Sequence, residues 1–306
     1  MNILFSSDDN YARHMGVAIY SLLAHNQDVE KIDIYVVDNH ICDDNIQKVR
    51  EVADGFSNAE LHFIPFDDIA RQLQLDMPWK ISLSSYARLF VGQLLPTHVD
   101  RVLYLDCDII VNENLDLLWN MSLEGKCLGA IQDQVTPNIR KSVGLNADSS
   151  YFNAGVLLID LRRWRELNID QQCVDFINAH RGRVIHHDQG VVNGIFREQW
   201  FRLPLRYNVM TIHYLMNQEQ CVKYFHDLTP FYCKEEIDAA KFNPALIHFT
   251  PSFTSRPWQK NCRHPLKSLY NILLQRTPWK VHSCQEEDAP WYLKLINWRY
   301  RNFPII

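Results

Sequence analysis

No paired cysteines, long apolar run or excess of positive charge marks this sequence of 306 residues. Its eight cysteines lack a CxxC or other paired spacing, which is typical of reduced thiols rather than of a disulfide framework or a zinc site. No apolar run approaches the roughly 20 residues that span a bilayer. The N-terminus turns acidic at Asp8, unlike a signal peptide. We therefore expect a soluble, cytoplasmic protein.

Charge and glycine content argue against two further classes of protein. A net charge of −5 gives no electrostatic basis for nucleic-acid binding. Only ten glycines occur and none precedes Gly16, so there is no early glycine-rich phosphate loop of the kind a nucleotidyltransferase normally carries. The hydrophobic fraction of 47% does allow a substantial core, and the length predicts one α/β domain, alone or with an appendage.

Strand-like and helix-like segments alternate along the chain, which predicts a parallel, doubly wound sheet with ligands at the carboxyl ends of its strands. Asp8, Asp38 and Asp106 fall at such ends. The predicted strands cover residues 2–7, 31–38, 61–66, 101–111, 128–132, 152–161 and 245–249. The predicted helices cover 15–23, 43–53, 84–95, 162–180, a shorter segment from Asp188, and 265–275.

Asp106 and Asp108 end the most apolar of these strands. In an extended strand, side chains two residues apart point to the same face, so the two carboxylates would repel each other unless they share a counter-ion. Hard oxygen ligands suit Mn²⁺ or Mg²⁺, and such an ion would neutralise a diphosphate leaving group. The alternative is a strand that runs into a polar turn with solvated carboxylates, because the tripeptide alone is a short motif.

Five segments together resemble family 8 glycosyltransferases, in particular bacterial enzymes that add galactose or glucose to lipopolysaccharide or related surface glycans. They are residues 5–11 (FSSDDNY), 81–89 (ISLSSYARL), 102–108 (VLYLDCD), 151–159 (YFNAGVLLI) and 187–193 (HDQGVVN). The resemblance implies a GT-A type, Rossmann-like α/β fold with a mixed central sheet. It also implies a catalytic domain over 1–265 and a small C-terminal helical, aromatic appendage over 266–306.

The resemblance further implies a retaining transfer of a hexose from a UDP-sugar to a saccharide or glycolipid acceptor, with Mn²⁺ or Mg²⁺ as cofactor. Asp8, Asn10 and Tyr11 would bind uracil and ribose, with Tyr11 stacked on the base. These residues equally suit the N-cap of the following helix. Arg88 would contact the donor sugar and orient the aspartates; alternatively, it is a surface charge on a helix.

On the sugar side, the resemblance places Asp133, Asn153, Ala154, Asp188 and Gln189 around the donor hexose. Asp188 would bind sugar hydroxyls, and Gln189 would lie near the anomeric carbon. Gly155 would let the backbone approach the ligand. The alternatives are a helix N-cap for Asp188 and a simple strand start for the segment 153–155.

His248 matches the third metal ligand beside Asp106 and Asp108. The chain then departs from the family's usual His-x-x-Gly-x-x-Lys pattern, because Pro251 stands in place of the glycine and offers no amide hydrogen. Arg256 would replace the lysine that binds the diphosphate. The missing amide would come from Ser252 or Phe253.

Retention of configuration leaves two mechanisms open. We favour front-face displacement, in which the departing phosphate oxygen takes the acceptor proton, because Gln189 is a poor nucleophile. A short-lived intermediate on Asp188 or Gln189 is the other. A non-catalytic or regulatory member of the same fold that binds UDP-sugars is the alternative to an enzyme, and Pro251 motivates it.

The end of the chain interleaves aromatic and basic residues. They are Trp291, Tyr292, Lys294, Trp298, Arg299, Tyr300, Arg301 and Phe303. Such a mixture suits the headgroup layer of a membrane, where a lipid-linked acceptor is found. The tail therefore predicts peripheral contact with the inner face of the cytoplasmic membrane; the alternative is a helix packed on the domain.

Overall fold

Ten strands in two sheets form the centre of the part of the chain that the structure, a computed structural model, describes: residues 1–70, 75, 83–226, 232–251, 253–280, 287–288 and 294. The strands are β1 (Asn2–Asp8), β2 (Ile32–Asn39), β3 (Ala59–Pro65), β4 (Arg101–Leu105), β5 (Ile109–Val111), β6 (Leu128–Gln132), β7 (Phe152–Asp160), β8 (Phe201–Arg202), β9 (Val209–Met210) and β10 (Leu246–His248).

Helices connect and cover these strands. The α-helices are α1 (Ala12–His25), α2 (Asp43–Asp54), α3 (Asp67–Ala70), α4 (Val91–Leu94), α5 (Asp116–Trp119), α6 (Pro137–Ser142), α7 (Leu161–Glu166), α8 (Ile169–Ala179), α9 (His187–Phe196), α10 (Thr211–Leu215), α11 (Gln218–Phe225), α12 (Lys234–Phe242) and α13 (Lys267–Leu274). In the described part of the chain, 3₁₀ helices also lie at Leu83–Phe90 and Leu205–Tyr207.

The larger sheet has seven strands in the order β3-β2-β1-β4-β7-β6-β8. The first four are parallel, as the alternation of strands and helices predicts, but β7 runs antiparallel to both β4 and β6. The mixed sheet is therefore confirmed and the fully parallel one is wrong. Periodicity identifies a strand from its own side chains, but it does not reveal the direction in which a later strand enters the sheet.

Both faces of this sheet are buried, so its central strands are apolar throughout. Successive residues alternate between two cores: Ile3 and Phe5 pack on the α1 side, whereas Leu4 packs on the opposite side with Trp164. This burial on both faces explains why the predicted bounds of β1 and β2 lie close to the observed ones.

The predicted strand over residues 101–111 is two strands in two different sheets. β4 ends at Leu105 and pairs with β1 and β7, whereas β5 starts at Ile109 and pairs with β10. Asp106, Cys107 and Asp108 lie in the turn between them. Apolar residues continue on both sides of that turn, so hydrophobicity alone does not show where the strand changes partners.

Two predicted helices are likewise divided. The segment 162–180 forms α7 and α8, because Asn168 between them has left-handed backbone with φ of 50°, a conformation that asparagine tolerates. The segment 84–95 is a 3₁₀ helix followed by the short α4.

The C-terminal part of the described chain packs against α1. Trp279 lies directly over Gly16, where an added Cβ would be 2.3 Å from its ring. Glu287 pairs with Arg13 of α1 and bonds the backbone of Trp258 and Lys260 at 2.9 Å each.

The domain boundary at residue 265 stays a prediction. In the described residues no helix has both the length and the apolar character to cross a membrane. Most of the aromatic tail lies outside the described residues.

Candidate functional site

A cleft of about 590 Å³ opens at the carboxyl ends of β1 and β4. Six residues that the sequence assigns to the site line it: Asp8, Tyr11, Arg88, Asp106, Asp108 and Arg256. The other lining residues are Ser6, Ser7, Ser84, Ser85, Tyr104, Cys107, His187 and Pro251. The position follows the rule for open α/β sheets, in which ligands lie beyond the carboxyl ends of the strands.

The turn between β4 and β5 presents both aspartates to this cleft. The backbone N–H of Asp106 donates to Gly155 of β7 at 2.9 Å, and the carbonyl of Asp108 accepts from Phe249 at 2.9 Å. Cys107 between them is buried, and its thiol lies 3.2 Å from the carbonyl of Ser6. The carboxylates converge because the turn is held at both ends, and not because they share the face of an extended strand.

Asp106, Asp108 and His248 form a group that is suited to a divalent cation. Nε2 of His248 lies 3.1 Å from Oδ1 of Asp108 and 3.7 Å from Oδ2 of Asp106. Neighbouring ligands of an octahedral ion with bonds of about 2.1 Å are about 3 Å apart, so small side-chain adjustments would accommodate one. Two carboxylates and an imidazole are a donor set for Mn²⁺ or Mg²⁺.

Asp108 and His248 influence each other's pKa. Burial raises the pKa of the Asp108 carboxyl, but His248 and Arg256 outweigh that effect and hold the pKa below its ordinary value. Burial lowers the pKa of the His248 imidazole, whereas Asp108 raises it, and the pKa lies above its ordinary value. Each group therefore favours the charged form of the other.

Gly155 makes room for these ligands. A Cβ at this position would lie 2.3 Å from Cε1 of His248 and 2.8 Å from Oδ2 of Asp106. The side chain that glycine avoids would thus collide with the candidate metal ligands. The expectation that Gly155 lets the backbone approach a ligand stays a prediction.

Arg88 lies between Asp106 and Asp188 and is 5% exposed. The alternative that it is a surface charge on a helix is therefore wrong. Its guanidinium donates to Asp106 at 2.7 Å and pairs with Asp188 at 3.0 Å. It also donates to the carbonyl of Ala154 and lies 4.4 Å from the ring centre of Tyr104. Burial raises the pKa of Asp188 above its ordinary value although Arg88 opposes this.

The residues assigned to the donor sugar form a hydrogen-bonded cluster next to Arg88. Gln189 donates to Asp133 at 3.0 Å, and its carbonyl oxygen accepts from the side chain of Asn153 at 3.2 Å and from the backbone of Ala154 at 3.1 Å. Asn153 also donates to Asp133 at 3.3 Å. His186 occupies the N-cap position of α9 without a side-chain cap hydrogen bond, and Asp188 lies within the first turn, so the N-cap alternative for Asp188 is wrong.

The opposite end of the cleft carries the residues assigned to the nucleotide. Oδ1 of Asp8 accepts from the backbone of Tyr11 at 3.2 Å, which orders the turn before α1, and Asn10 is exposed on that turn outside the lining of the cleft. The guanidinium carbon of Arg256 lies 5.6 Å from the ring centre of Tyr11, and Nε and Nη2 each lie 3.0 Å from Oδ2 of Asp108.

Stacked rings support the loop that carries Arg256. Trp258 stacks on His14 with ring centres 3.6 Å apart, and Nδ1 of His14 lies 2.6 Å from the hydroxyl of Tyr270. Burial holds the pKa of His14 well below its ordinary value, which favours the neutral ring. Within the same loop, Phe253 has left-handed backbone with φ of 67°, and Ser252 lies outside the described residues.

The sequence did not identify two residues that contact the predicted site. The hydroxyl of Tyr104 donates to Asp106 at 2.8 Å, and its position two residues before Asp106 was a usable signal. Asn208 lies 2.9 Å from both Asn153 and His248. No periodicity or motif around Asn208 points to it.

Comparisons with known proteins agree with this geometry. The family model described as Glycosyl transferase family 8 matches residues 2–262. General stress protein A of Bacillus subtilis (strain 168) is 28% identical over 92% of this chain and 95% of that protein. Lipopolysaccharide 1,2-glucosyltransferase of Escherichia coli (strain K12) is 28% identical over 94% of this chain and 82% of that protein.

A solved structure shows the same fold. The galactosyltransferase LgtC, in complex with donor and acceptor sugar analogues, superposes with a TM-score of 0.72 and 26% identity over 97% of this chain and 100% of that chain. The seven-stranded mixed sheet is therefore that of a GT-A fold, as the sequence predicts.

Substitution of Gly155 by alanine tests the space at the candidate metal site. The added Cβ meets His248 and Asp106, so we expect Mn²⁺ affinity to fall at least about tenfold, together with an overpacking cost of about 1–3 kcal/mol in the free energy of unfolding. Calorimetric Mn²⁺ titration and urea unfolding measure the two effects. Gly55→Ala is the matched control, because its Cβ meets no atom closer than 3.4 Å. Unchanged Mn²⁺ affinity in Gly155→Ala contradicts the assignment.

Proposed function

Because this chain belongs to glycosyl transferase family 8, we propose that it transfers galactose or glucose from a UDP-sugar to a glycan or lipid-linked saccharide, with an α linkage and a divalent cation. The acceptor belongs to surface polysaccharide or lipopolysaccharide synthesis. The observation that carries the proposal is the convergence of the buried His248 with Asp106 and Asp108, which line the cleft together with the buried Arg88.

Each end of the cleft suits one part of a UDP-sugar. Asp8, Asn10 and Tyr11 would bind the nucleoside at the exposed end. Arg256, with its planar guanidinium, suits a diphosphate oxygen pair in place of the family's lysine. A cation held by Asp106, Asp108 and His248 supplies Lewis-acid stabilisation of the diphosphate leaving group.

The sugar side supports front-face displacement. In this step the bond from the anomeric carbon to the phosphate oxygen breaks, the bond to the acceptor oxygen forms on the same face, and the proton of the acceptor hydroxyl passes to the departing phosphate. A covalent intermediate would need a free nucleophile. The carbonyl oxygen of Gln189 already accepts two hydrogen bonds, and the carboxylate of Asp188 is paired with Arg88. Both groups are better placed to orient a hexose and stabilise its positive charge.

Cation dependence is the first test of this function. Release of UDP from UDP-galactose or UDP-glucose should require Mn²⁺ or Mg²⁺ and stop with a chelator, and Asp108→Asn should lower the rate by at least about 100-fold. A chromatographic assay for UDP, with and without an acceptor saccharide, measures this.

Asp33→Asn is the matched control, since Asp33 also lies 3.0 Å from a histidine, His62, and belongs to the cluster with Glu60 on the edge of the sheet. A wild-type chain that is stabilised by UDP-sugars but never releases UDP is instead the regulatory binder that Pro251 suggested.

Gln189→Ala tests the sugar-side placement. We expect the KM for the UDP-sugar to change little and kcat to fall by about 10²–10³, because the lost amide acts on the transition state more than on the ground state. Steady-state kinetics measure both constants. Gln199→Ala removes an exposed glutamine amide outside the cleft, whose oxygen accepts from Lys126, and should leave both constants unchanged. Full turnover by Gln189→Ala refutes the placement of Gln189 at the reacting carbon.

Contact of the tail with lipid is tested by truncation after Asp288. Glu287 bonds the loop that follows Arg256, so a chain that ends earlier would disturb the cleft as well as remove the aromatic residues. We expect the full chain to co-sediment with anionic vesicles, and the truncated chain to stay in solution with its UDP release intact. Equal sedimentation of both chains rules out a lipid-binding tail.

A further inference from the structure

Asn208 connects the candidate metal site to the sugar-side cluster. It follows the 3₁₀ helix Leu205–Tyr207, precedes β9 and is fully buried. Its Nδ2 lies 2.9 Å from Oδ1 of Asn153, and its Oδ1 lies 2.9 Å from Nδ1 of His248. One amide thus contacts a group assigned to the sugar and a group assigned to the cation.

The direction of these hydrogen bonds is determined by the backbone of β7. The N–H of Gly155 donates to Oδ1 of Asn153 at 2.9 Å, so that atom is an acceptor. The group of Asn208 that faces it must be the NH₂ donor, which leaves the carbonyl oxygen of Asn208 facing His248. Nδ1 of His248 must then carry a hydrogen, because an amide oxygen only accepts.

We propose that Asn208 is a positioning residue that fixes a hydrogen on Nδ1 of His248, so that Nε2 is the nitrogen left to bind a cation, which would replace the proton facing Asp108. Nε2 is the atom that faces Asp106 and Asp108. A histidine that ligates a metal through one nitrogen commonly donates its other N–H to a fixed acceptor, which sets ring orientation and basicity. The inference rests on the proposed cation role of these three residues.

β7 also fixes the orientation of Gln189 at the other end of this hydrogen-bond network. The backbone N–H of Ala154 donates to Oε1 of Gln189, which turns the NH₂ of Gln189 toward Asp133. Asn153 bonds both Gln189 and Asn208, so the amides form one continuous chain from Asp133 to His248. A change at Asn208 should therefore reach both the cation and the hexose.

Two substitutions separate these effects. Asn208→Leu is close in size but cannot accept from His248, so we expect Mn²⁺ affinity in the presence of UDP to fall by about 10–100-fold. Asn208→Asp keeps an acceptor for His248 but places a second acceptor against Oδ1 of Asn153. We expect it to keep Mn²⁺ affinity close to wild type while kcat for the UDP-sugar falls. Electron paramagnetic resonance of free Mn²⁺ measures affinity without turnover.

Asn26→Ala is the matched control, because Asn26 is also fully buried and bonds the backbone of Leu22 and Leu115 away from the cleft. It should lose stability but not Mn²⁺ affinity. If Asn208→Leu does not fold, Asn208→Ala carries the same expectation. Wild-type affinity in the Leu or Ala variant, or an equal loss in Asn208→Asp, overturns the role of Asn208. A wild-type chain that binds no Mn²⁺ overturns the proposed cation site itself.

Discussion

Two carboxylates that face one buried imidazole are the constraint around which this molecule is organised. Like charges this close repel strongly where water is scarce, so they persist only with compensation. The compensation comes from segments far apart in the chain: Arg88 bonds Asp106, Arg256 bonds Asp108, and His248 faces both. The negative charge of the two carboxylates suits a cation, and such a cation together with Arg256 suits a diphosphate.

The backbone of β7 orients groups on both sides of the site. β4 ends at Leu105, which pairs with Val156, so the backbone of Ala154 and Gly155 extends beyond the ladder and is available to side chains. Its carbonyls accept from Arg88 and from the backbone of Asp106, and its N–H groups donate to Gln189 and Asn153. Because β4 ends while β7 continues, the backbone of β7 orients both the cation side and the sugar side of the site.

The loop with Arg256 shows how a departure from the family pattern is supported. Pro251 removes one amide donor, yet the loop is held by the stack of Trp258 on His14 and by the backbone pairing of Glu287. The arginine is also larger than a lysine and packs near the ring of Tyr11. The C-terminal segment therefore contributes to the cleft, although it lies far from it in sequence.

Local pattern was sufficient for β1, β2 and β7, because strands buried on both faces carry their own apolar signature. The half-buried edge strand β3 was recognised instead from the alternation of its side chains. The motif residues Asp8, Arg88, Asp106, Asp188 and His248 were recognisable through their resemblance to a family, without knowledge of their contacts. The break after Leu105, the burial of Arg88 and the link through Asn208 depend on partners 40 or more residues away or on a neighbouring strand. Side-chain periodicity reflects only residues that are near in sequence. It therefore does not reveal contacts that form when distant segments assemble around the sheet.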